Sequence, residues 1–152
     1  IDPVYLNLDL SLTFSGEKNK TSYKDYTELH ILRNARTLVN EEDLKTKVFN
    51  IITNYINTIK LGDVIDVRHL NNEIEKIPGL EEIKTVRTDL NRSIPGLSLC
   101  IYNPIYNGRD IKDIDTRYKL KPYQIPYIEN SILFKNKIKV KSTVSNKRVV
   151  EY

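Results

Sequence analysis

The segment "VYLNLDLSLTF", residues 4–14, narrows the possible folds more than any other. Val4, Leu6, Leu8, Leu10, Leu12 and Phe14 alternate with Tyr5, Asn7, Asp9, Ser11 and Thr13. Successive strand side chains point to opposite faces, so this period of two predicts a strand with one buried face and one wet face. The leucines run against β-propensity, but the alternation outweighs them. A strand with one apolar face needs a cover from another layer.

The cover reads as helical. "NEEDLKTKVFNIITNYINTIKLGD" opens with Asn40 as N-cap, and Glu41, Glu42 and Asp43 place negative charge against the positive helix end. Leu44, Val48, Ile51, Ile52, Tyr55 and Ile59 form an apolar stripe at helical spacing, and Gly62 is expected as the left-handed C-cap. Val64 and Ile65 make a short extended step to Asp66, which can cap a second helix carrying Leu70, Ile74 and Ile77. Pro78 and Gly79 end that helix, and Ile83 and Val86 lie in a strand reaching Asp89. The order strand, helix, helix, strand predicts an α+β fold: a two-layer module whose second strand returns beside the first. Leu8, Leu10, Ile52 and Tyr55 are expected to be buried together.

Elsewhere the patterns are weaker. In "YTELHILRNARTLV", residues 26–39, Leu29, Leu32 and Arg36 suit a helix while Leu29 and Ile31 suit a strand. The segment is expected as a further element or as an insertion, which with the polar loop before it would span residues 15–39. Residues 90–152 read as a C-terminal extension. It holds a strand from Leu97 to Tyr102, a turn on Asn107-Gly108, an extended segment with Pro122 and Pro126, and renewed alternation around Ile138 and Val140.

The chain has 152 residues, 39% of them hydrophobic, which suits a single domain with a real core. There is no apolar run of the roughly 18 residues that a membrane helix requires, so no membrane insertion is expected. One Cys excludes an internal disulfide. The chain contains no Met and opens on Ile1, which leads to the expectation of a piece of a larger protein.

Reactive residues are few. His30 and His69 lack a second ligand at helical spacing, and Cys100 sits inside a predicted strand, where a buried thiol is expected. Asp110, Asp113 and Asp115 resemble part of a calcium loop. Counted from Asp110, the positions that need Gly and Glu hold Asp115 and Lys121, so the pattern fails. No glycine-rich phosphate loop is present. No catalytic residue, cofactor, metal or small-molecule substrate is expected.

The aromatic residues Tyr118, Tyr123, Tyr127 and Phe134 are interleaved with Pro and Lys. Tyr is enriched in subunit interfaces, and two prolines fix the local shape. Tyr123, Ile125, Tyr127 and Phe134 are therefore expected to form a partner interface with a second copy of the chain, against the plain alternative that these aromatics cover the domain's own core. The alternative is a nucleic-acid-binding module. The formal charge is +4, the tail "KNKIKVKSTVSNKRVV" is basic, and aromatics beside cations can stack on single strands.

The run "LKTKVFNIITNYINTIKLGDVIDVRHLNNEIEKIPGLEEIKTVRTD" resembles the C-terminal region of baseplate J-like proteins, which include wedge proteins of contractile-tailed phages. The likeness rests on a strand before an amphipathic helix, the Leu61-Gly62 step, a short helix and the joint Pro78-Gly79-Leu80. "GLSLCIYNP" and "LKPYQIPYIENSILFKNKIKV" are similar to T-even-type wedge proteins in particular. Residues 15–39 depart from the compact version of the pattern. The resemblance implies that the piece is the C-terminal fragment of a structural subunit with no catalytic residues. It implies dimers that join other baseplate proteins in a ring around the tail hub, assembled in the host cytoplasm and located in the virion.

Overall fold

A computed structural model describes residues 2–8, 26–34, 36–102, 112–114 and 116–142, with the backbone alone at 102 and 112–114. The fold is α+β. In chain order the elements are β1 (Asp2–Leu8), β2 (Thr27–Arg33), α1 (Glu41–Thr58), β3 (Val64–Asp66), α2 (Val67–Glu75), β4 (Leu80–Arg87), β5 (Arg92–Pro95), β6 (Leu99–Tyr102), β7 (Lys112–Ile114), β8 (Arg117–Lys119), β9 (Gln124–Ile128), α3 (Ser131–Asn136) and β10 (Ile138–Ser142).

Val4, Leu6 and Leu8 are buried in β1, as the alternation requires. Leu10, Leu12 and Phe14 lie outside the described residues, as does the Asn107-Gly108 turn. The Asn40 side chain caps α1 by accepting from the Asp43 N–H at 2.8 Å. Asp66 caps α2 in the same way through the His69 N–H. The buried stripe of α1 is Leu44, Val48, Ile52 and Ile56, which shifts it by part of a turn from the expected one. Tyr55 is half-buried, and its hydroxyl accepts from the Asp66 N–H at 2.7 Å, tying α1 to the start of α2.

Gly62 does have a left-handed φ of 71°, but it is not the helix cap. α1 closes at Ile59, an extended residue whose N–H donates to the Ile56 carbonyl, and Gly62 lies in the turn beyond. Gly79 has the more constrained role. Its φ is 90°, and a Cβ there would lie 2.8 Å from the Thr37 hydroxyl. The Pro78-Gly79 joint thus seats the start of β4 against the turn that leaves β2, where the Asn34 N–H donates to the Gly79 carbonyl.

Strand order differs from the expectation. β4 does not return beside β1. One sheet has the order β7-β6-β1-β9, a second β10-β2-β4-β5, and β3 pairs with β8 alone. β2, which falls within the expected insertion, is an interior strand, antiparallel to β4 and parallel to β10. Thr27, Leu29 and Ile31 face the core from it. An apolar face says that a strand is half-buried. It does not say which strand is its neighbour. In β4 the core face holds Ile83, Thr85 and Arg87, so Val86, three positions from Ile83, points outward. Ser131 closes the segment read as extended and residues 132–136 open the run read as renewed alternation, but 131–136 fold into the short helix α3 capped by Asn130.

Both sheets and α1 and α2 contribute to one hydrophobic cluster. α1 packs on β9 of one sheet and β10 of the other, and α2 packs on α1 and β4.

Candidate interaction surface

The four residues expected to form an interface separate into two groups. Ile125 and Tyr127 alternate along β9 with Pro126, whose side chain is buried, so the two share the outer face of the sheet, and Tyr123 stands in the turn just before the strand. Tyr123 is 50% exposed and Tyr127 is 47% exposed. Phe134 does not join them. It is 1% exposed and packs against Phe49 at 6.3 Å between ring centroids. The expectation for Phe134 is corrected: the aromatic ring that α3 supplies belongs to the core. The exposed apolar residues of α3 are Ile132 and Leu133 instead.

β1 adds two residues to the outer face. β9 runs parallel to β1, with Pro3 opposite Ile125 and Tyr5 opposite Tyr127. The Tyr5 and Tyr127 rings lie 6.3 Å apart and are tilted by 35°, a usual aromatic contact. Pro3 and Tyr5 are part-exposed. The alternation of β1 already placed Tyr5 on the wet face, but only the pairing register brings it to Tyr127.

The edge of this face is closed. The Asp2 N–H donates to the Tyr123 carbonyl and the Glu129 N–H to the Leu6 carbonyl, so the backbone groups of 123, 125 and 127 turn toward β1. Those of 124, 126 and 128 turn outward. The Gln124 carbonyl accepts from Gly62, and residue 126 is a proline with no N–H. A partner can meet the tyrosine face, but it cannot extend the sheet past Pro126 without losing a bond.

The other singled-out residues have local roles. His30 lies 3.0 Å from Glu28 on the outer face of β2, and the His69 ring packs tilted against Tyr55 at 5.8 Å between centroids. Cys100 is buried in β6. No group of His, Cys, Asp and Glu among the described residues is arranged to hold a metal ion. Asp110 and Asp115 lie outside the described residues. Sequence reasoning missed one buried charge. Arg87 is fully buried on the core face of β4, and its guanidinium donates to both carboxylate oxygens of Asp89 at 2.8 and 2.7 Å. These bonds hold the Asp89 carboxyl below the usual carboxylate range.

Compared with family models, with curated proteins and with solved structures, the chain has no match.

Proposed function

We propose that this chain is a structural subunit of a contractile-tail phage baseplate wedge, and that it acts by holding subunits together in the baseplate ring. The observation that carries the reading is the tyrosine face of β1 and β9. Tyr5 and Tyr127 stand part-exposed on a sheet whose edge is closed by Pro126, with Pro3 and Ile125 beside them and Tyr123 exposed in the turn that enters β9. Tyrosines on a rigid sheet lose little entropy when a partner covers them, and such residues often dominate interface energies. The wedge-like order of helix, Leu61-Gly62 step, short helix and Pro78-Gly79 joint supplies the assembly. The partners are then a second copy and other baseplate proteins, and the location is the virion after assembly in the host cytoplasm. The role needs no catalysis.

The test uses purified contractile-tailed particles from the source that encodes the chain. Gold-labelled antibody against residues of the chain should mark the baseplate end. Absence of the chain from such particles by mass spectrometry would end the proposal.

A second reading is a nucleic-acid-binding module. Lys84, Lys139 and Lys141 share the outer face of the second sheet around His30. It ranks behind because Glu28 and Glu82 stand on the same face. A titration of mixed-sequence DNA separates the two. Tight binding that falls steeply with added salt favours this reading over the first.

A further inference from the structure

The sheet edges are not treated alike. On β9 the outward backbone position is Pro126. On β5, Ile94 and Arg92 face Thr85 and Arg87 of β4, so Ser93 and Pro95 turn outward, and a proline again replaces the outward donor. Among the described residues β7 spans Lys112–Ile114. β10 is different. It has five residues, Ile138–Ser142, with neither proline nor bulge. The Leu29 N–H donates to the Lys137 carbonyl, so the groups of 137, 139 and 141 turn toward β2. The N–H and C=O of Ile138 and Val140 therefore face outward. An open groove of about 500 Å³ runs along this edge, lined by residues 138–141, by Glu28 and His30 of β2 and by Glu41, Glu42 and Lys45 of α1.

We propose that β10 is the site at which an extended strand of a different polypeptide adds to the second sheet, and that this strand carries carboxylates at alternate positions. The charges select the occupant. Lys139 and Lys141 stand on one face of β10, exposed, and neither forms an ion pair among the described residues. Their direct neighbours in β2 are His30, which lies 3.0 Å from Glu28, and Leu32; Glu28 stands one strand inward, so the outer side of both cations is left to an added strand. An added strand sets its alternate side chains beside these lysines, and opposite charges across a strand pair are favourable. A second copy of β10 does not meet this need. Laid antiparallel about Val140, it would bring Lys139 against Lys141 of the other copy, with like charges opposed. The side chains on the other face of the added strand would lie beside Val140 and the first turn of α1, where small apolar or hydroxyl residues fit. The inference rests on the sheet edge and is independent of the tyrosine face.

The test uses the full chain and two blocked peptides, TEVEVT and TKVKVT, followed by NMR amide exchange and chemical shift. The acidic peptide should bind saturably, slow exchange at the Val140 amide, and bind about tenfold tighter than the basic one. Replacing both lysines (Lys139→Glu with Lys141→Glu) should reverse that order. Val140→Pro removes only the outward donor, so the fold should persist while binding of the acidic peptide is lost. Equal binding of both peptides, or none at millimolar concentration, would overturn the proposal. So would binding that requires removal of residues 143–152, which would assign the edge to the chain's own end. Binding that dissociates a dimer would assign it to a second copy and overturn it equally.

Discussion

Arg87 brings a full charge into the core, where Asp89 is its ion-pair partner. The guanidinium is 1% exposed, while the carboxylate that accepts its two bonds is 29% exposed. An isolated buried charge is costly, so losing the partner matters more than the pair itself contributes. The lowered Asp89 carboxyl sets the pH dependence. Because its folded pKa lies below its unfolded one, its stabilising effect is complete above the unfolded value of about 3.8 and is lost as pH falls through the folded value. Urea unfolding should therefore show a contribution that disappears in strong acid. Asp89→Asn should remove that contribution and cost roughly 1.5–3 kcal/mol at neutral pH. An Asn variant with the wild-type acid profile would show that another carboxylate is responsible. Tyr55 makes a simpler case. Burial raises its phenol pKa, and its hydroxyl accepts from the Asp66 N–H. Tyr55→Phe should cost about 0.5–1.5 kcal/mol in the same assay, and no change would mean that water replaces the bond. Neither role was legible in the sequence. A charge on a core face breaks the very alternation by which cores are recognised, and a hydroxyl that bonds backbone leaves no pattern at all.

At the scale of elements, legibility followed the strength of local signals. The caps Asn40 and Asp66 and the apolar face of β1 over Val4, Leu6 and Leu8 are local patterns and were read correctly, while the stripe of α1 was read as a helix face but part of a turn away from the buried one. β2 was not, because "TELHILR" satisfies helical and strand spacing equally over so short a run. Its neighbours decide the matter: β4 and β10 pair with it on both sides. Pairing between distant strands is a long-range property, and an alternating face carries no address. This gives a prediction that separates an interior strand from a dispensable segment. Ile31 is 1% exposed on β2, so Ile31→Ala should cost about 2–5 kcal/mol in chemical unfolding, as should Leu8→Ala on β1 and Ile52→Ala on α1. A loss at Leu8 and Ile52 with none at Ile31 would show that β2 contributes little to the core.

At the scale of the whole molecule the question is how strongly the tyrosine face can hold a second copy. The sequence identified β9 by its aromatics and prolines, yet it could not separate Phe134, which the turn of α3 carries inward, from Tyr127, which the alternation of β9 leaves outside. A Tyr side chain offers about 150–250 Å² in all, so Tyr123 and Tyr127, each near half exposed, offer about 100 Å² apiece. Pro3, Tyr5 and Ile125 are more covered. Together these residues fall short of the roughly 800 Å² per partner that a stable complex buries. The isolated chain should therefore associate weakly, with a monomer at low micromolar concentration and a reversible two-fold dimer above it, because one patch meeting its own copy closes symmetrically. Sedimentation equilibrium over a concentration series checks this. Tyr127→Ala should leave a folded monomer at every concentration, since a half-exposed ring contributes little to the core. An unfolded variant would show that Tyr127 serves the core through Tyr5. A dimer of undiminished affinity would move the contact elsewhere, with the exposed Ile132 and Leu133 of α3 as the next residues to replace.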